Sequence, residues 1–376
     1  MYKFPQGLYT DVRMEEVSET KVLFTLNKLE EMKTRRYVGA FIRIYDGSCW
    51  YYCSTTDTAN IQKEIDRLAA YAKPRTDINS NPVVKKFKAS RGVYMKFEKG
   101  NIKDVTGEEK LEFLQKYFPL MNSRPKIKLW RAQYVDKHEV KSFYSSAGAD
   151  IKFDNQRAGA SFSFRFADGG KQFSESFKKA SNYFDDVKNY AEGLEAFIMK
   201  CEDFLERAEP VKPGKYTVIL SPLAAGVFAH ESFGHKSEAD FMLGDESMKK
   251  EWVIGKKVGA EILSIVDNGL EAGSGLIQFD DDGVRPEKTY LIKNGVLSGR
   301  LHSAATAAEL GEEPTGNSRA MSFEFEPIVR MTTTYIEPGN KTKEELFGEV
   351  EDGVYVETIK HGSGLSTFTM APSLAY

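Results

Sequence analysis

The stretch Ser221–Phe241, SPLAAGVFAHESFGHKSEADF, holds two of the chain's five histidines, His230 and His235, with Glu231 beside the first. Its opening reads as a helix start. Ser221 is a good N-cap and Pro222 suits the first helical position. Leu223, Val227 and Phe228 supply an apolar stripe, so His230 and Glu231 are expected about two turns inside a buried helix. In the pattern H-E-x-x-H, two histidines four apart share a metal from one helix face. Here they are five apart. On a regular α-helix, residues four apart are separated by roughly 40° and residues five apart by roughly 140°. A shared metal therefore demands a distortion: an extra residue taken up as a π-bulge, or a helix end between the histidines. Gly234 is expected to permit either one.

The residue types fit hydrolytic zinc chemistry. Neutral imidazole is a ready zinc ligand, and catalytic sites combine three protein ligands with a water. The metal brings that water's pKa towards ~7. A carboxylate outside the ligand set then serves as general base and proton donor. His230 and His235 are the candidate ligands and Glu231 the candidate acid/base. The spacing taken alone is a weak signal, and two hydrogen-bonded core or surface histidines account for it more readily than a metal does. Glu238 and Asp240 follow closely enough to orient a ligand imidazole. Ser232 lacks the surroundings of a nucleophile elbow. His302 and His361 have no partner spacing and read as structural.

The 376 residues suit two domains. The chain is 41% hydrophobic and 28% charged, with formal net charge −3 and pI near 6.1. That balance argues for neither a nucleic-acid partner nor an acidic arm. Cys49, Cys53 and Cys201 form no disulfide framework, which favours a reducing compartment. The opening MYKFPQGLYTDVRMEE has no apolar core of an export signal, and no apolar run suits a bilayer. The expectation is a cytoplasmic protein, off the membrane.

Short β-rich segments open the chain: DVRMEEV, TKVLFTL, RRYVGAFIRIYDG and CWYYCST. TANIQKEIDRLAAYA reads as an amphipathic helix, VVKKFKASRGVYMKFEKGNIKD as a basic surface hairpin or insertion, and TGEEKLEFLQKYFPLM as a capped helix. Residues 126–180 alternate as strands around an ADGG turn, and one long helix is expected over Phe184–Arg207. EPVKPGKY is the expected linker. The division falls at residues 1–208, an α+β domain of sheet plus helices, and 209–376, a β-rich barrel or sandwich carrying the H-E-x-x-x-H helix. FDDDGV lacks calcium-loop spacing and reads as a turn near the site. PTGNSRA is either a plain loop or a donor of backbone amides to a peptide.

AHESFGHKSEADF resembles the corresponding segment of the TldD/PmbA family, once called modulators of DNA gyrase. So, in family order, do SIVDNG (Ser264–Gly269), FDDDGV (Phe279–Val284), YLIKNGVLSGRL (Tyr290–Leu301), PTGNSRA (Pro314–Ala320), VRMTTTYIEPG (Val329–Gly339) and VEDGVYV (Val350–Val356). The resemblance implies a zinc-dependent metallopeptidase acting on unfolded or flexible peptides. It implies zinc on His230 and His235, with Glu231 as acid/base. It implies a dimer, either of this chain or with a PmbA/TldE-like subunit that lacks the motif. It also implies a third zinc ligand, a cysteine in a CGK-like segment. None of the three cysteines matches that segment, so the chain is expected to be short of the family's C-terminus. The alternative expectation is a catalytically inactive scaffold subunit that binds peptide or partner.

Overall fold

The computed structural model describes residues 2–364 and 368–376. Its N-terminal half is dominated by one seven-stranded sheet: β1 (Tyr9–Thr25), β2 (Lys28–Tyr45), β3 (Trp50–Thr55), β4 (Arg91–Tyr94), β5 (Ile127–Ser145), β6 (Asp150–Asp168) and β7 (Lys171–Ser181). The order is β3-β2-β1-β5-β6-β4, and β7 pairs with a different stretch of β6. Only β4 runs parallel to its neighbour. Five helices accompany the sheet: α1 (Ile61–Ala69), α2 (Gly107–Gln115), α3 (Phe118–Asn122), α4 (Phe184–Ala191) and α5 (Leu194–Arg207).

Alternation decides which face of this sheet is covered. In β6, Phe162, Phe164 and Phe166 go into a core with Phe113 of α2, Val187 of α4 and Ile198 of α5. Each such side chain contributes about 1.5–3 kcal/mol on burial. Ser161, Ser163 and Arg165 fall on the opposite face, because successive side chains alternate. A second core seats α1, through Ile61, Ile65 and Leu68, on Val12, Ile42 and Ile44.

Several segments depart from the sequence expectation. DVRMEEV and TKVLFTL are one strand, since the intervening Ser18-Glu19 keeps pairing with both β2 and β5. The long helix divides at Glu192-Gly193 into α4 and α5. The basic stretch is not a hairpin: it gives single helical turns at Val84–Lys86 and Ile102–Asp104, with the short β4 between them.

The C-terminal half does not form the expected barrel. Here lie β8 (Thr217–Leu220), α6 (Pro222–Ala229), β9 (Ile265–Asn268), β10 (Lys288–Lys293), β11 (Val296–Leu297), β12 (Ser318–Arg319), β13 (Ile328–Val329), β14 (Thr334–Ile336), β15 (Gly353–Val356), β16 (Ile359–Gly364) and β17 (Phe368–Pro372). Among the described residues they make a four-stranded sheet, β11-β10-β9-β14, and the separate pairs β12-β13, β15-β8 and β16-β17. No sheet closes on itself, as a barrel requires. The reason is visible between β13 and β14. There the Thr332 N–H is taken by the Asp267 carboxylate (2.9 Å), the Arg330 N–H by the Asn317 carbonyl (2.9 Å), and the Arg330 carbonyl accepts from Asn317 Nδ2 (3.0 Å). Side chains and loops satisfy the backbone that a barrel neighbour would have paired.

The FDDDGV turn joins the two halves. Asp281 accepts from Lys141 of β5 (2.8 Å) and lies 3.6 Å from Arg13 of β1. Asp282 accepts from Arg43 of β2 (2.8 Å), which also holds Asp11. Asp280 accepts the backbone N–H groups of Asp282, Val284 and Ser318. The turn is therefore spent on the junction with the sheet rather than on the histidine site. PTGNSRA is occupied likewise: its Ser318 and Ala320 amides go to Asp280 and Asp281. No helix among the described residues is long and apolar enough to cross a membrane.

Candidate metal centre

α6 begins as its sequence dictates. The Ser221 hydroxyl accepts the Ala224 N–H (3.1 Å), and Pro222 occupies the first turn. Its buried face, however, consists of Ala224 and Ala229, while Leu223 stays 57% exposed. Leu223 and Val227 look into a groove instead of a core.

At the end of α6 the winding loosens. His230–Gly234 form a π-turn, and the His235 N–H bonds to the His230 carbonyl five residues back. This extra residue returns His235 to the face of His230. The two imidazole rings lie 4.6 Å apart, nearly perpendicular. One ligand atom each from His230, Glu231 and His235 falls within 4.8 Å of the others. The off-pitch spacing thus produces the shared face that a regular helix would deny.

Gly234 serves this arrangement differently from the expectation. Its φ of −59° and ψ of −58° suit any residue. What excludes a side chain is packing, for a Cβ there would lie 2.1 Å from Met331 Sδ. A second close approach comes from β16. A Cβ on Gly364 would lie 1.9 Å from the Glu231 carbonyl oxygen, and one on Gly362 would lie 2.9 Å from Val227. These two glycines let an extended strand lie directly on the π-turn. The sequence reading missed them, although HGSG, with glycines two apart on one strand face, carries that signal.

Glu238 holds His235. Its Oε2 lies 3.0 Å from His235 Nδ1, and the carboxylate is fully buried. It also accepts from Arg330 Nη1 (3.4 Å) and from the Met331 N–H (3.2 Å). A carboxylate with these donors is an acceptor, so Nδ1 carries the proton and Nε2 presents its lone pair. Asp240 reaches neither imidazole and instead accepts the Val329 N–H (2.6 Å). Burial, and then the neighbouring His235, push the His230 imidazole below its ordinary pKa, towards the neutral form that binds metal.

Two imidazoles, one with its tautomer fixed by a buried carboxylate, fit two positions of a zinc site, and the Glu231 carboxylate lies beside them. No cysteine joins the cluster among the described residues. Cys201 is buried in α5, Cys53 lies in β3 beside Glu64, and Cys49 is exposed in the turn before β3. Ser232 keeps a buried hydroxyl without a hydrogen-bond partner among the described residues. His302 is also buried and engaged elsewhere, by Thr306 and Glu312.

Glu231 opens onto a groove of about 1280 Å³. One wall is α6 with the segment Tyr355–Gly362, and the other comprises strands β5, β6 and β7 with α5.

Comparison with known proteins places this geometry. Residues 213–374 match the PmbA/TldA metallopeptidase C-terminal domain, and residues 10–72 match PmbA/TldA metallopeptidase domain 1. The metalloprotease MJ0996 of Methanocaldococcus jannaschii is 30% identical over 374 residues, covering 96% of this chain and 82% of that one. A zinc metalloprotease TldD homolog of Saccharolobus solfataricus is 29% identical, over 93% of this chain and 76% of its own. The crystal structure of TldE from Thermococcus kodakarensis superposes with a TM-score of 0.77 at 17% identity, over 98% of this chain and 84% of that chain, a likeness of fold. With its two family domains and a relative matched over most of both lengths, the chain belongs to the PmbA/TldD metallopeptidase family.

Proposed function

We propose that this chain is a zinc-dependent peptidase that hydrolyses unfolded or flexible peptides. His230 and His235 hold the metal, and Glu231 is the general base. The observation that carries the reading is the π-turn, which places both imidazoles and the Glu231 carboxylate within 4.8 Å of one another. Bound zinc would polarise a peptide carbonyl and acidify a water.

The chain's own groups supply the rest. Glu238 keeps His235 Nε2 free to ligate by holding Nδ1–H. The Glu231 carboxylate accepts a proton from the attacking water and returns it to the leaving amine nitrogen. In this reading the extended chain lies in the groove of about 1280 Å³ onto which Glu231 opens. In this reading residues 209–376 carry the chemistry and residues 1–208 supply the facing wall. The protein works in the cytoplasm as a dimer, with itself or with a TldE-like subunit.

Metal analysis of the purified chain, with cleavage of an unstructured peptide by wild type and Glu231→Gln, tests the proposal. Zinc retained in both proteins and cleavage only by wild type is the expected result. Zinc below stoichiometry, with cleavage unchanged by the substitution, rejects it. Peptide bound but never cleaved leaves the scaffold reading, which rests on there being only two imidazoles in the cluster.

A further inference from the structure

The groove beside Glu231 has an uneven charge. Six cations line it, Arg131, Arg165, Lys178, Lys179, Lys200 and Lys360, against three carboxylates, Glu175, Glu231 and Glu357. Two of those carboxylates are already neutralised or engaged. Glu357 pairs with Lys200 at 2.5 Å. Glu175 is nearly buried and accepts from Thr358 Oγ1 (2.7 Å) and from the Ser176 N–H (2.8 Å).

The other five cations have no carboxylate partner among the described residues. Arg165 donates to the neutral Gln172 (2.8 Å), and Lys179 lies over the Phe177 ring at 5.2 Å. Arg131, Arg165 and Lys178 share one sheet face with serines: Ser163 pairs across with Arg131 on one side and with Ser176 on the other, while Lys179 points to the α5 side and Lys360 comes from β16. Hydroxyls interleaved with guanidinium and ammonium groups are good donors to carboxylates.

We infer that this groove selects peptides rich in Asp and Glu beside the cleaved bond. The inference rests on the peptidase reading above and adds the substrate class. A groove lined by one sign of charge between low-dielectric walls concentrates ligands of the other sign. The chain as a whole carries a net charge of −3, so the preference belongs to this groove and not to a general affinity for polyanions.

The test uses three unstructured peptides of equal length and identical central residues, flanked by Glu, Ser or Lys. Binding is read by fluorescence anisotropy on zinc-loaded Glu231→Gln, and cleavage on zinc-loaded wild type. The Glu-flanked peptide is expected to bind at least about tenfold more tightly than the Ser-flanked one. The gap should shrink as salt rises from 50 to 500 mM, on the order expected for screened charges. Arg131→Glu and Arg165→Glu, both on the sheet's open face, should erase or invert the ranking. Lys33→Glu, on the same sheet but outside the groove, should not. Equal binding of all three peptides, or preference for Lys flanks, overturns the inference while the peptidase reading stands. Preferential binding with no cleavage of any peptide overturns that reading and leaves only the groove's preference for acidic peptides. Displacement of the Glu-flanked peptide by an equally charged single-stranded oligonucleotide at the same concentration shows bare charge recognition and also overturns it.

Discussion

The His235 N–H donates to the His230 carbonyl, five residues earlier, where a regular helix would have used Glu231. That one bond turns a spacing of five into the geometry of four. If the extra residue is an insertion into an ordinary metal-binding helix, removing it should restore the ordinary pitch. Deleting Ser232 leaves H-E-F-G-H and costs no side-chain hydrogen bond, because its hydroxyl has no partner among the described residues. Zinc affinity, measured by competition with a chromophoric chelator, should stay within about tenfold of the parent, a change below about 1.4 kcal/mol. Adding an alanine after Ser232 makes the spacing six and should remove binding. A deletion variant that folds, by circular dichroism, and yet loses zinc would show that the π-turn is needed for itself.

Gly234 separates two explanations of a small residue in a helix. Its helical backbone angles need no glycine, but Met331 Sδ occupies the place of its Cβ. Gly234→Ala should therefore cost about 1–3 kcal/mol by overpacking. Adding Met331→Ala should recover part of that loss, since the two changes relieve each other. Chemical denaturation of the four proteins of the cycle measures the coupling. Strict additivity would mean that backbone freedom, not space, selects glycine.

Local chemistry made much of this molecule legible. The Ser221 cap, the Thr106–Glu109 capping box, the Gly169-Gly170 hairpin turn and the requirement for a π-bulge all depend on neighbours in sequence. The core face of β6 follows from its alternating phenylalanines. The C-terminal half was misread because Asp and Asn side chains far along the chain capture its backbone. Asp267, for example, ties Thr332 and Thr334, so β-forming residues end in short strands rather than in a barrel. The Gly364 approach to Glu231 spans more than a hundred residues, and nothing near either residue announces it. Motif spacing could name His230, Glu231 and His235. It could not say which of Glu238 and Asp240 reaches an imidazole.

The Glu238 carboxylate makes three contacts, and one of them reaches an imidazole. Glu238→Gln keeps the size of the side chain and weakens its hold on the Nδ1 proton. Zinc affinity should fall by about 10–100-fold, the effect found for outer-shell partners of histidine ligands. Loss of a buried charge from Arg330 also lowers stability, so the titration belongs at a temperature where both proteins are folded. The readout that isolates the imidazole is its nitrogen chemical shift in the metal-free protein. Nδ1 should remain the protonated nitrogen in wild type and lose that preference in the variant. An unchanged tautomer with unchanged zinc affinity would reduce Glu238 to a structural anchor.

The junction between sheet and FDDDGV turn predicts how stability depends on pH. Burial alone would push the Asp281 carboxyl up, but Arg13, Lys141 and the Ala320 N–H outweigh it and hold the group well below the usual carboxylate range. Glu139, close by, is lowered to about 2, with burial opposed by Lys141, Lys137 and Arg157. A carboxylate whose pKa is depressed by folding contributes stability above its unfolded value, near 4, and loses it as pH falls through the folded value. Asp281→Asn should thus cost about 3–5 kcal/mol at neutral pH, since Lys141 and Arg13 lose a buried partner. The difference between wild type and variant should stay level down to about pH 4 and narrow only below it. Denaturant titrations from neutrality down to about two units below the unfolded carboxylate value follow the onset of that narrowing. A gap that narrows instead around neutrality would mean that Asp281 is protonated in the folded protein, and that the turn is held by hydrogen bonds rather than by charge.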